Sequence, residues 1–244
     1  MERDKVGLVG RNGAGKSTLV RILADQETAD DGEIQRKKGL SLHLVSQAPQ
    51  FAPAASVGEV LRAQAFAENA VLAKQLKTLE DQLAVAPESE QLALAERHAE
   101  LSAEFERAGG HHLTHQVHQV ADALGVPPED RIYGSLSLGE QRRVALAVGL
   151  ILQPDLLILD EPTNHLDMAT VEWLEGRLKA YRGALLLITH DRYFLENVAT
   201  RIAEIERGNL WSYEGNYTEY IVKKALREVE EQKAERRRTR AIAT

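Results

Sequence analysis

The stretch that most limits what this chain can fold into is Gly10-Arg11-Asn12-Gly13-Ala14-Gly15-Lys16-Ser17. It follows Val6-Gly7-Leu8-Val9, a short apolar run that reads as a buried strand, and it opens onto a helix-like stretch from Thr18 to Leu23. Strand, glycine-rich loop and helix in that order make the setting a P-loop requires. Glycines let the backbone curl so that successive N–H groups converge on phosphate oxygens, and the helix N-terminus adds partial positive charge there. Lys16 is expected to reach the β- and γ-phosphates and Ser17 to hold Mg²⁺, with Gly10 to Thr18 as the nucleotide-binding set. The alternative, a glycine-rich turn that merely ends a strand, leaves the lysine and hydroxyl at this spacing unexplained.

An acidic pair completes the chemistry. Leu156-Leu157-Ile158-Leu159 is a continuous apolar run, read as a central parallel strand, and Asp160-Glu161 stand at its carboxyl end. In a chain with a P-loop, Asp160 is expected to hold Mg²⁺ and Glu161 to act as general base toward the attacking water. Ala184 to Thr189 repeats the buried-strand pattern and ends on His190, which is placed to donate to a γ-phosphate or to the water. Taken alone, a histidine at a strand tip is more often structural.

Around these motifs the chain reads as α/β. Ala29-Asp30-Asp31-Gly32 predicts a turn, Glu33-Ile34 the entry to a strand, and Leu40 to Val45 a half-exposed strand that delivers Gln47 to a loop. From Val57 to about Ala108 glycine nearly vanishes. Leu72, Leu76, Leu79 and Leu83 follow a heptad seam, Pro87 interrupts it, and Leu94, Leu101 and Phe105 resume it. That pattern predicts a hairpin of two helices hinged at Ala86-Pro87-Glu88, either a projecting arm or a pair lying on the domain. His111, His115 and His118 share one helix face, as a polar surface or as a metal site that lacks a matching carboxylate or cysteine. Ser137-Leu138-Gly139-Glu140 is an S-x-x-E capping box ahead of an apolar helix through Leu152. Ile202 to Ile205 and Leu210 to Tyr213 predict a hairpin around Arg207-Gly208-Asn209, and Glu219 to Arg240 an exposed charged helix with a basic end.

Composition excludes several classes. The chain has 244 residues, no cysteine and a net charge of −7. Disulfide and thiolate chemistry are therefore out, and any nucleic-acid contact must use a local patch such as Arg236, Arg237, Arg238 and Arg240. No run approaches the roughly 18 apolar residues of a membrane span, and no signal peptide opens the sequence, so a cytoplasmic location without membrane insertion is expected.

With these motifs in this order, the chain resembles an ATP-binding cassette (ABC) ATPase over nearly its whole length. Three stretches are similar to the ABC-F branch of soluble tandem-cassette proteins: Asp160-Glu161-Pro162-Thr163-Asn164-His165-Leu166-Asp167, Thr189-His190-Asp191-Arg192-Tyr193-Phe194-Leu195, and Tyr213-Glu214-Gly215-Asn216-Tyr217. The helical hairpin falls where that branch carries its arm. The resemblance implies a P-loop fold of the ABC type, with core segments 1–56 and 126–218, a helical subdomain at 57–125 and a linker helix at 219–244. It implies that Gln47 is the Q-loop contact to Mg²⁺ and water, and that His190 is the switch histidine. It implies that Ser137, Gly139 and Glu140 form the signature that meets ATP held by an opposing cassette, with Asp167 as the acid linking two sites. It further implies ATP and Mg²⁺ as ligands, a second cassette in cis or as a dimer, and the ribosome or structured RNA as the target of an ATP-hydrolysing switch.

The chain also departs from that pattern. Leu138 replaces the first glycine of the signature, where a side chain is expected to crowd the partner site or tilt the helix start. The adenine-stacking aromatic belongs upstream of the P-loop, and with nine residues before Gly10 a late-started chain is expected. The ATP-binding subunit of a membrane transporter, and a module that closes on ATP with little turnover, are the alternative readings.

Overall fold

The structure is a computed structural model that describes residues 4–65, 69–107 and 110–242. It divides into two compact units, residues 1–47 with 153–244, and residues 48–152.

The first unit is built on β1 (Lys5–Gly10), α1 (Lys16–Leu23) and β2 (Leu42–Val45), and the second unit interrupts it. That second unit holds α2 (Val57–Ala65), α3 (Asn69–Val85), α4 (Glu88–Arg107), α5 (Gly110–Ala123) and α6 (Leu138–Leu152). The first unit then resumes with β3 (Leu156–Asp160), α7 (Met168–Lys179), β4 (Ala184–Ile188), α8 (Arg192–Val198), β5 (Arg201–Glu206), β6 (Asn209–Glu214) and α9 (Tyr217–Ile242).

Six strands form one sheet in the order β2-β3-β4-β1-β5-β6, parallel throughout except for the β5–β6 hairpin. The continuous apolar runs explain the central strands, because a parallel strand covered on both faces needs apolar side chains at odd and even positions alike. On one face Leu8, Val20, Ile158 and Ile188 form a core cluster, with Leu19 and Leu23 of α1 packed against it. The alternate residues Leu157, Leu159, Leu185 and Leu187 are fully buried, as are Leu174 and Leu178 of α7 and Phe194 of α8. Register aligns Leu8 with Ile188 and Ile188 with Asp160, so β1, β4 and β3 end at one edge.

The expected strand at Glu33-Ile34 is absent. Residues 33–38 form no ladder, Ile34 is exposed, and the segment is held by Arg36, which pairs with Asp25 and donates to the Leu23 carbonyl at 2.7 Å. An extended segment without a strand beside it has nowhere to place its backbone hydrogen bonds except water.

In the second unit the seam closes a helical hairpin, α3 against α4, with the turn at Ala86-Pro87. Leu76, Leu79 and Phe105 are buried, and Glu80 of α3 lies 3.4 Å from His98 of α4. Helices α2 and α5 pack on α6, whose residues Val144 to Ile151 are all buried. Accordingly α6 and the loops of residues 48–56 and 126–137 cluster with the helices, and not with the core segments 1–56 and 126–218 that the resemblance implied. Glu129 ties the unit together, 2.7 Å from Arg62 of α2 and 3.3 Å from His118 of α5. Among the described residues no group of three or more His, Asp or Glu is placed to hold a metal, and the side chains of His111 and His112 lie outside those residues.

Helix α9 is not the uniformly exposed helix expected. Ile202, Glu204 and Glu206 alternate onto the face of β5 that meets it, and Tyr220, Lys224 and Arg227 answer from α9. These contacts bury Tyr220 and half-bury Lys224 and Arg227, while Ile221, Val222 and Leu226 of the same helix stay exposed. The side chains of Arg237, Arg238 and Arg240 lie outside the described residues; Arg236 is exposed.

Candidate nucleotide site at the carboxyl edge of the sheet

The P-loop leaves β1 at Gly10, where an added Cβ would lie 2.7 Å from the Ile205 carbonyl oxygen of β5. Only glycine lets the strand pass that close. The loop turns through an Ala14 N–H to Arg11 carbonyl bond of 3.1 Å and reaches Gly15, the N-cap of α1, at φ 96°. That left-handed conformation strains any residue with a Cβ.

The start of α1 differs from those of α7 and α8. Asp167 accepts from the Thr170 N–H at 2.8 Å and Asp191 from the Phe194 N–H at 3.0 Å, each capping its helix. Helix α1 has no side-chain cap and no acidic residue in its first turn. Its amino-terminal N–H groups, with the helix dipole behind them, make an anion site. Lys16 stands over the same loop, donating to the carbonyls of Gly10 at 2.7 Å and Arg11 at 3.1 Å. Arg11, Asn12, Gly13 and Thr18 are exposed, while Ala14, Gly15, Lys16 and Ser17 are half-buried.

The acids come to the same edge by register. Val45 pairs with Leu159, which places Gln47 beside the end of β3, and Gln47 Nε2 donates to Asp160 Oδ1 at 3.1 Å. Asp160 is buried. Glu161 takes a left-handed backbone at φ 54°, and its N–H donates to the Ile188 carbonyl at 2.7 Å, locking the ends of β3 and β4. A non-glycine residue in that conformation holds strain that the surrounding bonds must maintain. Its carboxylate is 10% exposed, and Oε1 lies 3.7 Å from His190 Nε2, whose side chain is 65% exposed. The Asp191 N–H donates to the Thr189 hydroxyl at 3.1 Å, fixing the turn that presents His190. Ser17, Asp160 and Gln47 carry hydroxyl, carboxylate and amide oxygens, the ligand types that Mg²⁺ takes.

Ser137, Gly139 and Glu140, expected as the signature, lie in the second unit. Ser137 caps α6: its hydroxyl and N–H donate to Glu140 Oε2 at 2.7 and 2.8 Å, and the Glu140 N–H returns to Ser137 Oγ at 3.3 Å. The bonds from Ser137, first its hydroxyl and then its N–H, hold the Glu140 carboxyl below the usual carboxylate range. Leu138 occupies the first helical position with its side chain exposed, and the reciprocal cap is intact around it.

Three features escaped the sequence reading. Ser56 and Glu59 form a second capping box at α2, with bonds of 2.8 and 3.2 Å, although the S-x-x-E signal is plain in the sequence. Asn216 and Glu219 form a related one at α9, with bonds of 3.0 and 3.2 Å. Glu196 and Glu204 meet α9 with no local pattern to announce them.

Comparison with known proteins agrees with this geometry. The ABC transporter family matches residues 2–164, and a second ABC transporter family, an extension, matches residues 203–244. The chain is 41% identical over 241 residues to the energy-dependent translational throttle protein EttA of Haemophilus influenzae, covering 98% of this chain and 43% of that protein. It is 39% identical over 241 residues to the ABC transporter ATP-binding protein YfmR of Bacillus subtilis, covering 97% and 37%. It thus spans less than half the length of these curated relatives. A solved ATP binding subunit of an ABC transporter superposes with a TM-score of 0.63 at 18% identity, covering 87% of this chain and 80% of that one. Among the described residues no helix is long and apolar enough to cross a membrane. The chain belongs to the ABC family of ATP-binding cassettes, in its ABC-F branch.

Proposed function

We propose that this chain is an ATP-hydrolysing cassette of an ATP-gated switch that acts on the ribosome. The observation that carries the chemistry is the convergence of four elements at one sheet edge: the uncapped P-loop helix, the Gln47–Asp160 pair, the strained Glu161 and His190. The ribosome enters through the name of the relative EttA, a translational throttle protein.

In this reading Lys16 exchanges the Gly10 and Arg11 carbonyls for the β- and γ-phosphates of ATP, and the first N–H groups of α1 receive phosphate oxygens. Ser17, Gln47 and Asp160 hold Mg²⁺, which when bound neutralises charge on the phosphates. Glu161, shielded from solvent and fixed by its own N–H, orients the attacking water and takes its proton. His190 donates toward the γ-phosphate side of the same water.

Ser137, Gly139 and Glu140 serve a second cassette, for which Ser137 trades its Glu140 bond for a phosphate oxygen, with Asp167 at the contact. Leu138 narrows that approach.

The test is ribosome co-sedimentation of Glu161→Gln with ATP and with ADP at two salt concentrations, with bound nucleotide assayed in the same samples. Pelleting with ATP alone, weakened by salt, supports the switch. Bound ATP without pelleting overturns the ribosomal target and favours an ATP-binding subunit that serves another partner.

A further inference from the structure

Residues of α8 and β5 fasten the start of α9. At its start, the Glu196 carboxylate of α8 accepts from Asn216 Nδ2 at 2.7 Å and from the Thr218 N–H at 2.8 Å. Glu196 thereby satisfies an otherwise open N–H of the first turn and places negative charge at the positive end of α9. One turn on, the Tyr220 hydroxyl donates to Glu204 Oε1 at 2.8 Å, and Lys224 pairs with the same oxygen. Glu204 is 3% exposed. Arg227 follows, 2.6 Å from Glu206 Oε2 and 3.6 Å from Glu204 Oε2, with its guanidinium 4.2 Å from the centre of the Trp211 ring. Tyr213 meets Tyr220 edge-on at 5.1 Å.

Both anchors belong to elements that adjoin the proposed nucleotide site. Helix α8 begins at Asp191, directly after His190, and Glu196 lies one turn further along it. Strand β5 pairs with the P-loop strand, Glu204 against Val9 and Ile205 against Gly10. Because Glu204 is desolvated, letting go of Lys224 and Arg227 would leave a buried charge unpaired, so the helix follows the strand instead of sliding over it.

We infer that the start of α9 is a mechanical joint, in which Glu196 fixes it to the helix that follows His190 and Glu204 fixes it to β5, the strand paired with the P-loop strand. Nucleotide-driven movement of His190 is thereby delivered to α9. This rests on the nucleotide site proposed above and names the element through which that site acts.

Hydrogen–deuterium exchange over residues 217–228 tests it, comparing Mg²⁺ with a non-hydrolysable ATP analogue against Mg²⁺ with ADP. In the unaltered chain the analogue slows exchange there by about five-fold or more relative to ADP. Glu196→Ala raises exchange by about ten-fold in both nucleotides and erases their difference, while analogue affinity stays within about two-fold of the unaltered chain. Glu204→Gln is the second variant, and if it does not fold, Asn216→Ala takes its place at the same joint. Retained protection and retained nucleotide response in Glu196→Ala overturn the joint. So does an unaltered chain that binds the analogue in a parallel fluorescence titration but shows no change in α9. Failure to bind nucleotide in that titration overturns the P-loop reading itself, and the joint with it.

Discussion

His190 Nε2 lies 3.7 Å from Glu161 Oε1, an exposed imidazole above a carboxylate that is almost closed off from solvent. The separation is too long for a direct hydrogen bond, and in the proposed reaction both groups face the attacking water. Removing the charge from Glu161 while keeping its shape separates binding from chemistry. Glu161→Gln is expected to keep ATP affinity and to lower phosphate release by about 10²–10⁴-fold. Turnover near the unaltered rate would remove Glu161 from the role of base.

Lys16 donates to the consecutive carbonyls of Gly10 and Arg11 at the start of the P-loop. Lys16→Ala takes away both those bonds and the charge offered to phosphate. ATP affinity in equilibrium titration should fall about ten-fold or more, since a charge-assisted contact contributes roughly 1.5–3 kcal/mol. The fall should be smaller for AMP, which has no β- or γ-phosphate to lose.

Gly15→Ala places a side chain at φ 96°, with no neighbouring atom in its way. The cost is therefore conformational, about 1–2 kcal/mol. Thermal unfolding should move down by a few degrees, with a larger proportional loss in ATP affinity because the N-cap geometry relaxes. Unchanged affinity would show that the left-handed cap is dispensable.

The Ser137 bonds that hold the Glu140 carboxyl low make a pH-dependent contribution to the second unit. A carboxylate with a depressed folded value stabilises the fold above its unfolded value, about 4.3, and loses that contribution as pH falls through the folded one. In urea titrations, unaltered chain and Glu140→Gln should differ at pH 6 and converge as pH drops below about 4. A constant difference across that range would mean that the cap does not depend on the charge.

Leu79 lies buried in the seam of the helical hairpin. Leu79→Ala should cost about 2 kcal/mol or more, since a two-helix contact has few other layers to absorb the cavity. Circular dichroism should report lost helix signal, while ATP binding at the sheet edge persists.

What could be read from the sequence followed from how local each signal is. The P-loop, Asp160-Glu161 and His190 announce themselves because chemistry and secondary structure coincide in a few consecutive residues. The helical hairpin was equally plain, since a seam broken by a single proline leaves little choice of topology. Glu33-Ile34 misled because a turn followed by an isoleucine looks like a strand entry, while pairing depends on a neighbour that local pattern does not contain. The placement of α6 with the helices, like the docking of α9, was hidden for the same reason. Glu196 and Glu204 look like ordinary surface acids until residues from 216 to 227 are brought against them. Where a contact spans elements, no short pattern encodes it.

The strand order has a consequence for how this molecule comes into being. Strand β1, which precedes both of its neighbours in the chain, lies between β4 and β5. At 5–20 residues per second, synthesis from Gly10 to Ile188 takes roughly 10–40 s, and during that time the P-loop strand has neither neighbour. Residues 48–152 are complete well before then and can fold as helices from local contacts. The nascent polypeptide therefore carries its phosphate loop unformed while the inserted helices mature. It gains the capacity to hold nucleotide late and in one step, when β4 and β5 close on either side of the first strand.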